Sequence, residues 1–127
     1  MDKPTAVIVE DEAFIALDLE DMCQDAGYRV LGTSASARAA RERFGDLAPD
    51  VLITDMELVD GSLGTEVAAW MRRRLPGLRV VFVTGTCDPR FLAEIDMLRP
   101  DKVLRKPVAQ AEFGACLSRL AASRPSV

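Results

Sequence analysis

The chain of 127 residues contains no histidine. This absence excludes nucleophilic catalysis of the Ser-His-Asp and Cys-His types, because both depend on an imidazole base. It also excludes histidine metal sites. For the same reason the chain cannot itself carry a phosphohistidine. Several classes of site are therefore excluded before any motif is considered.

Cysteine is scarce as well. The three thiols, Cys23, Cys87 and Cys116, are odd in number, widely spaced and not arranged as C-x-x-C. This pattern predicts small core residues in a reducing compartment, and neither a disulfide framework nor a zinc site. No signal peptide precedes the first apolar run, and no apolar run approaches the length needed to span a membrane. We therefore expect a cytoplasmic protein without a membrane segment.

Basic clusters are almost missing. The net charge is −4 and the isoelectric point is about 4.8, which argues against a nucleic-acid-binding face. The one basic run, Arg72-Arg73-Arg74, is expected to form a solvated face near a helix C-terminus, where cations suit the dipole. With 49% hydrophobic and 28% charged residues, the chain has the composition of one soluble globular domain.

Short apolar runs alternate with longer amphipathic segments along the chain. The predicted strands cover residues 6–9, 29–32, 51–54, 80–83 and 102–105. The predicted helices cover roughly residues 12–26, 36–47, 63–75, 88–98 and 109–122. Five strands alternating with five helices indicate an α/β fold, with a parallel sheet that is covered on both faces. No repeat or linker interrupts the pattern, so we expect a single domain over 1–127 with no output domain.

The most informative side chains follow the carboxyl ends of the predicted strands. Glu10-Asp11-Glu12 follows the first strand, Asp55 the third, and Lys106 the fifth, while Thr84 ends the fourth. In open α/β sheets, sites form in the crevice beyond these strand ends. The fold should therefore bring the four positions to one edge of the sheet.

These residue types suit phosphoryl transfer. The carboxylates of Glu10, Asp11 and Asp55 are hard oxygen donors of the kind that Mg²⁺ prefers. A carboxylate can also attack phosphorus and form an aspartyl phosphate, and Asp55 is the predicted nucleophile. Thr84 would supply a hydroxyl donor and Lys106 a positive charge, both suited to holding the phosphoryl group.

On these residues the sequence resembles the receiver domains of two-component response regulators. The motifs that carry the resemblance are Glu10-Asp11, Asp55, Thr84-Gly85 and Lys106-Pro107. The resemblance covers essentially the whole chain and implies a flavodoxin-like (βα)₅ fold with strand order 2-1-3-4-5. It also implies Mg²⁺-dependent phosphorylation of Asp55 by a histidine kinase or a histidine phosphotransfer protein.

The resemblance further implies details of the site. The backbone carbonyl of Glu57 is the expected additional Mg²⁺ ligand, and the Lys106–Pro107 peptide bond is expected to be cis. Such a chain would be a phosphoacceptor and not an enzyme, at most catalysing its own phosphorylation and dephosphorylation. Its output would be contact with an unknown downstream protein, read out on helix four, strand five and helix five. No nucleic acid or membrane is expected as a partner, and the expected state is a monomer or weak homodimer.

Three positions depart from the common receiver pattern. Val103 stands where an aromatic switch residue is usual, Val59 stands where proline is common, and Gly64 is displaced by about one residue. The stretch 81–85, with Phe82, Thr84 and Gly85, instead resembles a subgroup of single-domain receivers with a Phe-x-Thr-Gly signature. These departures question the usual coupling of the threonine to an aromatic residue, but not phosphorylation at Asp55.

The first predicted helix carries apolar residues on two sides. Four residues at helical spacing form a stripe that should pack on the sheet: Ile15, Leu19, Met22 and Ala26. Phe14 and Leu17 point instead to the acidic side of the helix. Their exposure would suit docking of a partner helix, although single exposed apolar residues are common.

Other interpretations remain open from the sequence. Glu10-Asp11-Glu12 could be a helix cap with first-turn acids, and Asp60-Gly61 is most simply a turn. A phosphorylation-independent receiver-like binding module is one alternative function. An aspartate-nucleophile phosphatase of the haloacid dehalogenase type is another, but such enzymes place an Asp-x-Asp motif on the first strand. A nucleotide or flavin site is weaker still, because no glycine-rich loop follows the first strand.

Overall fold

The computed structural model describes residues 2–123 as five strands alternating with five helices. The strands are β1 (Thr5–Val9), β2 (Arg29–Ser34), β3 (Val51–Thr54), β4 (Arg79–Thr84) and β5 (Lys102–Arg105). The helices are α1 (Ala13–Asp25), α2 (Ala37–Phe44), α3 (Gly64–Arg74), α4 (Pro89–Leu98) and α5 (Gln110–Ala122). Every predicted element is present, with ends displaced by no more than a few residues. Within this described part of the chain, no helix is long and apolar enough to cross a bilayer.

The five strands form one parallel sheet in the order β2-β1-β3-β4-β5. The central pair, β1 and β3, is in register with Ile8 opposite Ile53, and both residues are fully buried. The predicted fold class and strand order are confirmed. Because all strands run in the same direction, their carboxyl ends meet at one edge of the sheet.

Successive strand residues point to opposite faces, which gives the sheet two cores. In β1, Val7 and Val9 face the core that lies under α2, α3 and α4. Ala6 and Ile8 face the core under α1 and α5. The sheet is thus buried on both faces, which is why β1 and β3 read as continuous apolar runs in the sequence.

Helix α1 packs on the sheet through the four residues of the predicted apolar stripe. Leu19 is buried in the core, and Ile15, Met22 and Ala26 pack against the same cluster. Phe14 lies on the other side and remains 85% exposed. The predicted packing stripe and the predicted exposure of Phe14 are confirmed.

The prediction that all three cysteines are core residues is wrong for one of them. Cys23 and Cys116 are buried, and burial raises the pKa of the Cys23 thiol to about 12. Cys87 is exposed, because it lies in the loop between β4 and α4, where the chain has left the sheet. Its position beyond the strand end, and not its residue type, decides its exposure.

The prediction of a solvated arginine run is only partly right. Arg72 donates from its Nη1 to the Leu98 carbonyl at 2.6 Å and from its Nη2 to the Arg99 carbonyl at 3.1 Å. It therefore satisfies carbonyl groups at the C-terminus of α4, where the helix leaves acceptors unpaired. Arg74 reaches other carbonyls and lies over the Trp70 ring, whereas Arg73 is exposed and has no side-chain partner within residues 2–123.

We predict that Arg72→Met and Arg73→Met differ in stability although the two arginines are adjacent. Loss of Arg72 should lower the free energy of unfolding by about 1–3 kcal/mol, because it leaves carbonyls at the end of α4 without a donor. Loss of Arg73 should change it by less than about 0.5 kcal/mol, as is usual at an exposed surface position. Urea denaturation of both variants measures the difference, and equal values would contradict the role of Arg72.

Candidate functional site

Three of the predicted site residues are fixed by backbone hydrogen bonds that continue the sheet beyond the strand ends. Glu10 N donates to the Ser34 carbonyl at 2.9 Å, Asp55 N to the Val9 carbonyl at 3.0 Å, and Lys106 N to the Thr84 carbonyl at 3.0 Å. Each residue is therefore the first position after its strand, yet its backbone is still held by the neighbouring strand. This arrangement positions the side chains more firmly than a loop would.

The side chains of these residues meet at one point. Lys106 Nζ lies 2.8 Å from Asp55 Oδ2 and 2.8 Å from Glu10 Oε1. The Glu10 side chain is almost fully buried, and the other two are mostly buried. The Lys106–Pro107 peptide bond is cis, as the sequence predicts. The structure thus brings together residues that are up to 96 positions apart in the sequence.

Burial and charge together set the protonation of this cluster. Burial raises the pKa of Glu10 above its ordinary value, even though Lys106 and the Glu12 backbone N–H both lower it. Burial alone would lower the pKa of Lys106, but its hydrogen bonds to Asp55 and Glu10 outweigh this effect, so the pKa is raised. The Lys106 ammonium therefore stays protonated at neutral pH.

The carboxylates of Glu10, Asp11 and Asp55 form a group that fits a divalent cation. One oxygen from each lies within 4.8 Å of the others. Within residues 2–123, the ammonium of Lys106 contacts two of these carboxylates, Glu10 and Asp55. Three carboxylates beside this ammonium give the cluster an excess of negative charge when all are ionised. Hard oxygen donors with such an excess suit Mg²⁺, which normally binds one or two protein carboxylates together with waters.

Glu57 lies two residues after Asp55, in the loop between β3 and α3. It forms an isolated antiparallel bridge with Leu63, in which Leu58 N donates to the Ser62 carbonyl and Gly64 N donates to the Met56 carbonyl. These bonds flank Glu57, so the bridge does not use the Glu57 carbonyl. The Glu57 side chain is exposed.

Thr84 lies at the same edge but contacts its own loop. The residue is fully buried at the end of β4, and its Oγ1 accepts a hydrogen bond from Thr86 N at 3.1 Å. Its described side-chain contact therefore differs from those of Lys106 and Asp55, which bind each other directly.

The interpretation of the first acidic run as a helix cap is not supported. Glu12 occupies the N-cap position of α1 but makes no capping hydrogen bond from its side chain, and the first turn holds no acid within the described helix. Instead Glu10 Oε2 accepts a hydrogen bond from Glu12 N at 3.1 Å. The run serves the carboxylate cluster more than it serves the helix.

Sequence reasoning missed the structural role of Gly64. Its N–H donates to the Met56 carbonyl at 2.7 Å, and a Cβ at this position would lie 1.9 Å from the Asp55 carbonyl oxygen. Only glycine can bring the start of α3 so close to the backbone that carries Asp55. The signal in the sequence was a glycine displaced by one residue. The segment between the bridge partners Glu57 and Leu63 includes the predicted Asp60-Gly61 turn, with Gly61 at φ +80°.

Comparison with known proteins agrees with this geometry. The family model described as "Response regulator receiver domain" matches residues 6–118. This chain belongs to that family. It is a receiver domain of the kind found in two-component response regulators.

Two curated relatives illustrate the range of the family. The phyllosphere-induced regulator PhyR of Methylorubrum extorquens is 28% identical over 114 residues, which cover 89% of this chain and 42% of PhyR. The response regulator receiver protein CpdR of Brucella abortus is 30% identical over 105 residues, which cover 80% of this chain and 82% of CpdR. The receiver thus spans less than half of the length of PhyR but most of the length of CpdR.

Solved structures show the same fold. The PhyR receiver domain of Erythrobacter litoralis superimposes with a TM-score of 0.85 at 26% identity and covers 100% of this chain and 98% of its own. The receiver domain of a modulated diguanylate cyclase from Desulfovibrio desulfuricans G20 gives a TM-score of 0.86 at 28% identity, with 95% of each chain covered. Both similarities extend over nearly the whole receiver.

We predict opposite effects for two glycine-to-alanine changes. Gly64→Ala should lower the free energy of unfolding by about 1–3 kcal/mol, because the added Cβ overlaps the Asp55 carbonyl and forces the backbone apart. Gly114→Ala, in α5, meets no atom within 4 Å and should stabilise the receiver by about 0.5–1 kcal/mol through helix propensity. Thermal unfolding of both variants tests this. A Gly64→Ala protein as stable as the wild type would show that the close approach is not needed.

Proposed function

We propose that Asp55 is the phosphoacceptor of this receiver. The single observation that carries the proposal is the contact of Asp55 Oδ2 with Lys106 Nζ at 2.8 Å, beside a second buried carboxylate. Asp55 Oδ1 accepts a hydrogen bond from Met56 N at 2.7 Å, so the carboxylate is held at both oxygens. In the transfer, a bond forms between an Asp55 oxygen and phosphorus while the bond from phosphorus to the donor breaks.

The surrounding residues would stabilise the transferred group. Lys106 would bind a phosphoryl oxygen with its ammonium, which is already desolvated and positioned. Thr84 would donate its hydroxyl to another phosphoryl oxygen. In these roles, Lys106 would exchange its contact with Asp55 Oδ2 for a phosphoryl oxygen, and Thr84 Oγ1 would leave the Thr86 N–H.

Glu10, Asp11 and Asp55, with the backbone carbonyl of Glu57, would hold Mg²⁺. When bound, the cation would neutralise charge on the phosphoryl oxygens. The excess negative charge of the cluster and the Glu57 carbonyl, which the bridge does not use, support this ligand set.

The donor must be another protein or a small phosphorylated molecule. The chain contains no histidine, so a phosphohistidine donor would be a histidine kinase or a histidine phosphotransfer protein. We further propose that the receiver acts in the cytoplasm as a monomer or weak homodimer. Its output would then be contact with a downstream protein, and its only catalysis would be its own phosphorylation and dephosphorylation.

We predict that the wild-type protein, incubated with Mg²⁺ and a small phosphodonor such as acetyl phosphate, gains the mass of one phosphoryl group. Asp55→Asn should gain none, because an amide oxygen is a poor nucleophile toward phosphorus. Asp60→Asn is the matched control, since Asp60 is an exposed acid in the same loop, whose Oδ1 accepts hydrogen bonds from the N–H and the hydroxyl of the neighbouring Ser62. It should be phosphorylated like the wild type, and intact-mass spectrometry measures all three.

The outcomes separate the alternative functions. Turnover of phosphodonor without an adduct would indicate a short-lived aspartyl phosphate or phosphatase activity. Neither adduct nor turnover would overturn the proposal and favour a binding module that does not depend on phosphorylation.

The acidic face of α1 is the proposed docking surface for the donor protein. Phe14 and Leu17 are 85% and 57% exposed, and Asp18 and Asp21 are exposed beside them. A cavity of about 300 Å³ lies next to this helix, with Lys106 in its wall. A partner helix with apolar residues and flanking cations would complement this surface and would bring its phosphohistidine toward Asp55.

We predict that Phe14→Ala slows phosphoryl transfer from a phosphorylated histidine phosphotransfer protein on the order of tenfold, as expected for loss of an apolar anchor. Phosphorylation by acetyl phosphate should not change, because Phe14 is 85% exposed and is not one of the residues proposed to hold the phosphoryl group or Mg²⁺. The matched control is Met97→Ala on α4, which removes an equally exposed apolar side chain, 84% against 85%. Radiolabel transfer assays measure the rates, and equal slowing by both variants would argue against docking at α1.

A further inference from the structure

Arg105 ties the loop between β4 and α4 to strand β5. The residue directly precedes Lys106, and its Nη1 donates to the Thr86 carbonyl at 2.6 Å. Its Nη2 donates to Cys87 Sγ at 3.3 Å. The two bonds cross from β5 to consecutive residues of the loop. A guanidinium can do this because its donors are fixed in a planar fork.

The same loop is connected to the Thr84 hydroxyl by a chain of hydrogen bonds. Thr86 N donates to Thr84 Oγ1 at 3.1 Å, and Asp88 N donates to Thr86 Oγ1 at 3.2 Å. Asp88 is the N-cap of α4, where its Oδ1 accepts from Arg90 N at 2.9 Å. These contacts run without interruption from the end of β4 to the first turn of α4.

The loop depends on these bonds more than on packing. Gly85 and Cys87 are exposed, and only Thr86 is buried between them. Segments with few buried contacts open at low free-energy cost, so single hydrogen bonds determine their conformation. Arg105 is therefore placed to decide how tightly the loop is held.

We infer that Arg105 is a positioning residue that couples the state of Asp55 to helix α4. This inference rests on the proposed phosphorylation. When the Thr84 side chain rotates about χ1 and carries its Oγ1 toward a phosphoryl oxygen on Asp55, Thr86 N loses its acceptor. A buried N–H without a partner is costly, so Thr86 shifts to find one. The shift draws the Thr86 carbonyl from Arg105 and loosens the loop and the N-cap of α4.

The contacts of Arg105 also explain how β5 couples Asp55 to α4 without an aromatic side chain at Val103. Val103 pairs with Phe82 and Arg105 pairs with Thr84 in the β4–β5 ladder, so the two β5 side chains are on the same face of the sheet. Val103 is partly exposed and small. Arg105, two residues further along β5 and directly before Lys106, makes the polar contacts from this strand to the loop between β4 and α4.

Amide hydrogen exchange tests the inference on the intact protein. The measurement follows the segment 84–92 with Mg²⁺ alone and with Mg²⁺ plus beryllium fluoride, which mimics a bound phosphoryl group. In the wild type, beryllium fluoride should accelerate exchange of this segment on the order of tenfold, the factor expected when a bond to a charged donor is lost. Arg105→Met should exchange rapidly in both states and show no further response.

Two variants at β5 give the controls. Lys102→Met removes the same charge from the same strand, where the side chain is exposed, and should respond like the wild type. Arg105→Lys keeps the charge but loses the planar pair of donors, so its ammonium should bind the Thr86 carbonyl without binding Cys87. Beryllium fluoride should then accelerate the exchange of segment 84–92 less than in the wild type. Intact mass after acetyl phosphate treatment shows for each variant whether Asp55 is phosphorylated.

The outcomes distinguish failure of the inference from failure of the proposed function. A normal response in Arg105→Met, or an unchanged loop in a wild type that does form the phosphoryl adduct, would overturn the coupling and leave the proposed function intact. Absence of any adduct in the wild type would overturn both.

Discussion

The site depends on burying two carboxylates, Glu10 and Asp55, beside one ammonium group. Burial favours the neutral form of a carboxyl group, and it raises the pKa of Glu10 above its ordinary value. Lys106 Nζ partly offsets this effect, because it contacts Glu10 Oε1 and Asp55 Oδ2, each at 2.8 Å. Together with Asp11, the two carboxylates form a group of hard oxygen donors that fits a divalent cation.

The parallel sheet makes that contact possible with little local strain. All five strands end at the same edge, and beyond three of them one further backbone bond fixes Glu10, Asp55 or Lys106, the residues of the proposed site. The two apolar cores pack against the strands from both faces and so hold the strand ends in place. Gly64 also ties the loop after Asp55 back to the site by direct backbone contact.

Apolar periodicity is a local signal, so it was sufficient to predict the alternating elements and the parallel sheet, whereas the strand order came from the resemblance to receiver domains. The sequence also identified Glu10, Asp55 and Lys106, whose positions follow from the topology once the strands are placed. It could not reveal the contacts of Arg72 and Arg105, because an arginine that reaches a distant carbonyl has the same local pattern as one in water. The exposure of Cys87 was missed for a similar reason, since small apolar types are usually buried and only the loop path shows otherwise. The close approach at Gly64 required knowing that the backbone of Asp55 lies behind it.

The distribution of thiols has a practical consequence. Of the three cysteines, all within the described residues, only Cys87 is exposed, and the other two lie in the core under α1 and α5. The natural chain thus offers a single attachment point for a fluorophore or a spin label, with no engineered residue. That point lies on the loop between Thr84 and α4, where a spectroscopic probe would sense the site from outside the carboxylate cluster.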